Sequence, residues 1–149
     1  IYCPFTFEAN VNVHMNDVLI PVTMCHEFSH LSGYMREDEA NFIAFLACLQ
    51  SDDPEFRYSG VYLASVHAMN ALLTVDSDLW NQADALKSDA LRRDIRSNNA
   101  YWKQYETPVS EVSDRVNDAY LKANGQENGL RSYGRMVDLL LAYYRDELQ

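Results

Sequence analysis

The chain has 149 residues, 48% hydrophobic and 12% aromatic, enough for one domain with a real core and too apolar for a disordered segment. A formal net charge of -10 argues against a phosphate backbone as partner, because such binding draws on clustered lysine and arginine, so nucleic acid is excluded first. Three cysteines, Cys3, Cys25 and Cys48, without a CxxC pair exclude a disulfide framework, and buried apolar thiols are expected.

In chain order, residues 1–16 lack helical periodicity, and the alternation from Glu8 to His14 suits a short strand or an extended edge. Such an edge can hold a peptide by its backbone, which makes Asn10 and Asn12 candidate substrate-binding residues beside the plainer reading of a surface strand. His14 is a lone histidine before a turn. A helix then begins at Pro21 and ends at Gly33, the natural residue for a left-handed turn.

That helix carries His26-Glu27-Phe28-Ser29-His30, an HExxH signature. Two imidazoles four residues apart lie on one face, separated by about 6 Å of rise, so both can reach one small cation. Glu27 is turned by about 100° from His26, where its carboxylate could take a proton from an activated water; it reads as base rather than ligand. A catalytic zinc needs a third protein ligand. If a second helix starts near Arg36, Glu37 shares a stripe with Ala40, Ala44 and Ala47, small residues that let two helices approach closely. Glu39 shares its stripe with Phe42, Ile43 and Leu46, which hold backbones apart, so Glu37 is preferred over Glu39.

Beyond this helix, which should fade near Gln50, residues 51–54 read as a turn that could also start a short next helix, and 61–75 as a helix with Tyr62, Val66, Met69 and Leu73 inward. His67 lies off the centre of that stripe and reads as a structural histidine, while Tyr58 and Tyr62 could line a cleft or bridge core and solvent. Residues 76–105 mix charges with apolar side chains in the manner of a solvated surface. Thr107 and Pro108 suit the start of a helix over 109–123, closed at Asn124-Gly125. A last helix, 130–148, should turn Tyr133, Met136, Val137, Leu140, Leu141 and Tyr144 inward. Tyr133 and Arg135 are candidate catalytic donors for a tetrahedral oxyanion, with core packing and a surface ion pair as their plainer roles. No apolar run approaches the roughly 18 residues of a membrane span, so the chain reads as soluble as it stands.

The order HExxH, glycine turn, Glu37-x-x-Ala40-Asn41 resembles the gluzincin pattern of zinc peptidases. The resemblance implies Glu37 as zinc ligand and Asn41 as the support of a histidine ligand. Only six residues separate His30 from Glu37, close to the metzincin spacing, but there the third ligand would fall on Arg36, which cannot serve. The chain also resembles an uncharacterised bacterial family, a domain of unknown function predicted to be a membrane-anchored zinc peptidase. The matching stretches are Cys3 to Thr6 with Glu8 to Asn12, then Cys25 to Cys48, then Leu121 to Gln126 with Ser132 to Arg135. This resemblance implies hydrophobic spans ahead of the present chain, so that membrane attachment would run only through a segment outside it.

The expectation is a mostly α single domain of six or seven helices with at most a small N-terminal β element. Its expected activity is zinc-dependent peptide hydrolysis on a peptide or protein substrate, with His26, His30 and Glu37 holding Zn2+ and Glu27 as base. The alternative is a helical peptide-binding module whose zinc site is structural or inactive.

Overall fold

The computed structural model describes residues 1–105 and 133–147; the helix expected over 109–123 lies outside them. The chain opens as an antiparallel ribbon, β1 (Tyr2–Cys3) and β2 (Glu8–Ala9), with Tyr2 opposite Ala9 and Cys3 opposite Glu8. The alternation that begins at Glu8 therefore makes strand for only two residues. Asn12 is the cause: its Oδ1 accepts from the His14 N–H at 2.9 Å, a side-chain turn that bends the backbone out of the sheet.

A 3-10 turn (Asp17–Leu19) leads into α1 (Ile20–Leu31). Pro21, in the first turn, has no N–H to satisfy, but the Val22 N–H does, and Leu19 at the cap position offers no side-chain acceptor. Ser59 supplies the missing cap from a distant helix. Its hydroxyl oxygen accepts from Val22 N at 3.0 Å and its hydrogen goes to the Val18 carbonyl at 2.6 Å, all in a fully buried position.

Next come α2 (Glu37–Gln50), α3 (Pro54–Val75), α4 (Ser77–Ala85), α5 (Asp89–Lys103) and α6 (Tyr133–Glu147), which make the molecule mostly α. α2 packs against α1, α3 and α6 at once. Its two faces differ in size. Ala40, Ala44 and Cys48, all fully buried, form the close-approach face, with Val22, Ala44 and Cys48 as one core cluster. The small stripe runs on to Cys48 and leaves the expected Ala47 exposed. On the other face Phe45 meets Met136 and Leu140 of α6, and Leu63 of α3 packs on both clusters.

α3 begins at Pro54, not near 61, because Asp53 caps it by accepting from Glu55 N at 2.8 Å and nothing before Val61 interrupts the helix. Gly60 sets its distance from α2: a Cβ there would lie 2.5 Å from the Cys48 Cβ. The inward residues Ser59 and Gly60 carry no apolar signal, which is why the pattern over 61–75 misplaced this face; Leu73, expected inward, is exposed. On α6, Met136 and Leu140 are buried as expected, but the third inward turn is Tyr143, packed edge-on to Phe42 and Phe45 with centroids 6.3 and 6.4 Å away, while Leu141 faces solvent.

α4 and α5 bury no residue completely, as a solvated surface would have it. α5 is tied on by polar side chains. Tyr58 donates to Asp94 at 2.5 Å, Asn12 Nδ2 to the Tyr101 hydroxyl at 3.0 Å and Asn16 Nδ2 to Ser97 at 3.0 Å. Burial and the Asp94 carboxylate push the Tyr58 phenol up to about 12, so it stays a donor. Among the described residues no helix is long and apolar enough to cross a membrane.

Candidate metal centre

The end of α1 orients the site. Gly33 adopts φ 97°, which an L side chain resists, and so closes the helix with paired bonds from Gly33 N to His30 O at 3.0 Å and Tyr34 N to Ser29 O at 3.1 Å. The reversal folds the Tyr34 carbonyl back beneath the imidazole one turn earlier, where it lies 2.7 Å from His30 Nδ1. A carbonyl only accepts, so Nδ1 carries the proton and Nε2 is left with its lone pair directed at the site. The support of His30 is therefore a backbone carbonyl delivered by the glycine turn, so Asn41, expected to support one of the two histidine ligands, does not fill that role at His30.

His30 Nε2 lies 3.1 Å from His26 Nε2. Glu37 approaches from the first turn of α2, with one oxygen 3.3 Å from His26 Nε2 and the other 3.6 Å from His30 Nε2. In a tetrahedral site with bonds of about 2.0–2.1 Å, neighbouring donors stand about 3.3 Å apart. The separations in this triad bracket that value, and a ligand atom from each residue lies within 4.8 Å of the others. Burial alone would raise the Glu37 pKa, but a hydrogen bond from His26 and the nearness of both imidazoles bring it below the ordinary glutamate value.

Glu39, the competing acid, is directed elsewhere. Arg36 grips the buried Asp38 with two bonds, 3.2 Å from Nε to Oδ1 and 2.8 Å from Nη2 to Oδ2, and lies 3.4 Å from Glu39. One arginine thus occupies both neighbouring acids and leaves Glu37 for the imidazoles. The spacing that disqualified Arg36 as ligand hid this sorting role.

Glu27 is buried, with one oxygen 2.8 Å from the Ile1 nitrogen and the other with no hydrogen-bond partner among the described residues. His26 Nδ1 is likewise buried and unpartnered among the described residues. The open Glu27 oxygen beside three converging ligand atoms is what the water of a metal site would satisfy, while His26 Nδ1 lies on the side of the ring away from them. The β1–β2 ribbon lies against this end of α1, its Tyr2 ring 6.1 Å from that of His30.

A cavity of about 320 Å³ opens on His26, Glu27 and Glu37. Helical spacing builds its walls: Glu37 and Asn41 on α2, Leu63 and His67 on α3, each pair one turn apart, with Trp102 from α5. Asn41 thus belongs to the cavity wall. The other sequence candidates are not in it. Asn10 is exposed at the end of the ribbon, Asn12 spends its amide on Tyr101 and His14, and Arg135 is exposed on α6, which packs on the far face of α2. Tyr133 is the first residue of α6, and its side chain lies outside the described part of the structure. Tyr58 and Tyr62 hold α3 in place and do not line the cavity; the exposed His14 is not in the triad.

Sequence reasoning missed the Tyr34 carbonyl, the Ser59 cap and the place of Leu63, His67 and Trp102 in the cavity. Only His67 had a readable signal, a histidine one turn from an inward leucine. Comparison with known sequences and folds matched no curated protein and no solved structure. A family model did match, and over residues 1–141: the chain belongs to the family described as protein of unknown function (DUF3810).

Proposed function

We propose that this chain is a zinc-dependent metallopeptidase that hydrolyses peptide bonds, with His26, His30 and Glu37 as the zinc ligands. The observation that carries the reading is the convergence of two Nε2 atoms and one carboxylate at separations of 3.1, 3.3 and 3.6 Å, next to a buried glutamate on the same helix. Zinc, when bound, lowers the pKa of water and polarises a carbonyl. The chain supplies the rest. Glu27 accepts a proton from the attacking water and passes it to the leaving amine, and its buried oxygen, unpartnered among the described residues, suits that exchange. The Tyr34 carbonyl fixes the His30 tautomer, and Arg36 keeps Asp38 and Glu39 from competing for the cation. The partner is a peptide or protein substrate entering the cavity.

The experiment is metal analysis joined to a Glu27→Gln comparison on a peptide library. We expect about one zinc per chain in both proteins and turnover in the wild type alone, since glutamine keeps the shape but cannot take a proton. Equal turnover in the two would remove Glu27 as base. Zinc without turnover in either would favour a non-catalytic binding module.

A further inference from the structure

The cavity beside the triad is chemically divided. Apart from His26, Glu27 and Glu37, its lining is apolar at Leu19 of the 3-10 turn, Val22 of α1, Leu63 of α3 and Trp102 of α5, with Thr23, Asn41 and His67 as the polar remainder. Among the described residues no lysine or arginine lines it. A volume of about 320 Å³ lies at the small end of ligand sites, which run from roughly 300 to 1,000 Å³, enough for one large side chain and the backbone beside it.

We propose that this cavity is a recognition pocket for a single apolar side chain flanking the cleaved bond, with Leu63 and Trp102 as the specificity-determining residues. The substrates would then be peptides carrying a leucine-, methionine- or phenylalanine-like residue at that position. The inference rests on the zinc peptidase reading and adds the substrate class. A carboxylate entering the pocket would give up hydration beside the acidic Glu27 and Glu37, with no lysine or arginine among the described lining residues to offset them. Burial pushes the His67 pKa down, so that imidazole offers no positive charge at neutral pH. An ammonium or guanidinium would be brought beside the cation the triad holds. Only an uncharged apolar group gains from Leu19, Val22 and Leu63 without a charge left unpaired. Trp102 is 49% exposed and so stands at the mouth, where its ring can cover the entering side chain.

The test uses the whole chain with zinc added and three dipeptide hydroxamates that share the zinc-binding group and differ only in carrying a leucine, glutamate or lysine side chain. Calorimetry should give the leucine compound at least about a tenfold lower Kd than either charged one. Trp102→Arg, which places a guanidinium at the mouth, should move the ratio of glutamate to leucine binding about tenfold toward glutamate. The wild-type series stands even if that variant fails to fold. Equal wild-type affinities, or a preference for a charged side chain, would overturn the pocket. Cleavage sites mapped on a peptide library separate the two ideas: hydrolysis with no apolar preference overturns the pocket alone, and a leucine preference in binding without any cleavage overturns hydrolysis alone. Failure of all three compounds to bind in a zinc-dependent way overturns both.

Discussion

At residue scale the site depends on which acid is left free, and Arg36 decides it. Its guanidinium holds Asp38 and lies beside Glu39, while Glu37 alone faces the imidazoles. Glu37→Ala should therefore weaken zinc affinity by at least about tenfold in a chelator competition, whereas Glu39→Ala should leave it unchanged. The reverse order would mean that the ion binds through a rearranged second helix. The same grip has a pH signature. Burial raises the Asp38 pKa, but Arg36 and the backbone more than offset it, so the carboxyl ends below its ordinary value of 3.8. Since the folded state binds that proton less readily than the unfolded chain, the pair's stabilisation is present above pH 3.8 and is lost as pH falls below it toward the folded value. Arg36 is 44% exposed, so solvent screening keeps the effect modest. Metal-free wild type should lose thermal stability more steeply than Asp38→Asn below that pH; parallel curves would show that the pair contributes nothing.

At element scale the sequence told where helices lie better than which faces they bury. The α1 limits were legible because proline and glycine bound it, and the two histidines because ligand spacing is rigid on a helix. The close-packed faces of α2 and α3 were legible only in part. Alanines at 40 and 44 announced themselves, but Ser59 and Gly60 have no apolar character, and their reason for being buried lies in a partner helix that no local pattern displays. The short strand expected from Glu8 is present but stops after Ala9 for a similar reason, since one Asn12 side-chain bond outweighs the alternation beyond it. His67 and Trp102 reached the cavity only because α3 and α5 were brought to α1, a relation of tertiary structure. These joints should be costly to disturb. Ser59→Ala leaves the Val22 N–H and the Val18 carbonyl buried without their partner, which should cost about 1–3 kcal/mol. Gly60→Ala forces α2 and α3 apart at Cys48, with a similar cost of about 1–3 kcal/mol. Denaturant midpoints of both variants near that of the wild type would show that the α1–α3 joint and the α2–α3 approach are looser than these distances state.

At the scale of the whole molecule, the triad bridges the two helices whose packing the core requires. His26 and His30 lie on α1 and Glu37 on α2, and α2 in turn packs on α3 and α6. An ion held across α1 and α2 should therefore stabilise the fold as a whole and not one helix end. The chain's negative balance adds to this, because Glu27 and Glu37 sit close together in a molecule of net charge -10 and a divalent cation relieves their repulsion. Binding to the folded state alone stabilises by about 2.7 kcal/mol when free zinc is a hundredfold above its Kd, because the unfolded chain does not assemble the triad. Thermal unfolding should shift upward with zinc, return with chelator, and shift little in His26→Ala, which removes one ligand while leaving the α1–α2 packing of Val22, Ala44 and Cys48 in place. The variant is the decisive arm. If it gains as much stability from zinc as the wild type, the ion binds somewhere other than between α1 and α2, and the triad is an arrangement of three polar side chains with no metal to hold.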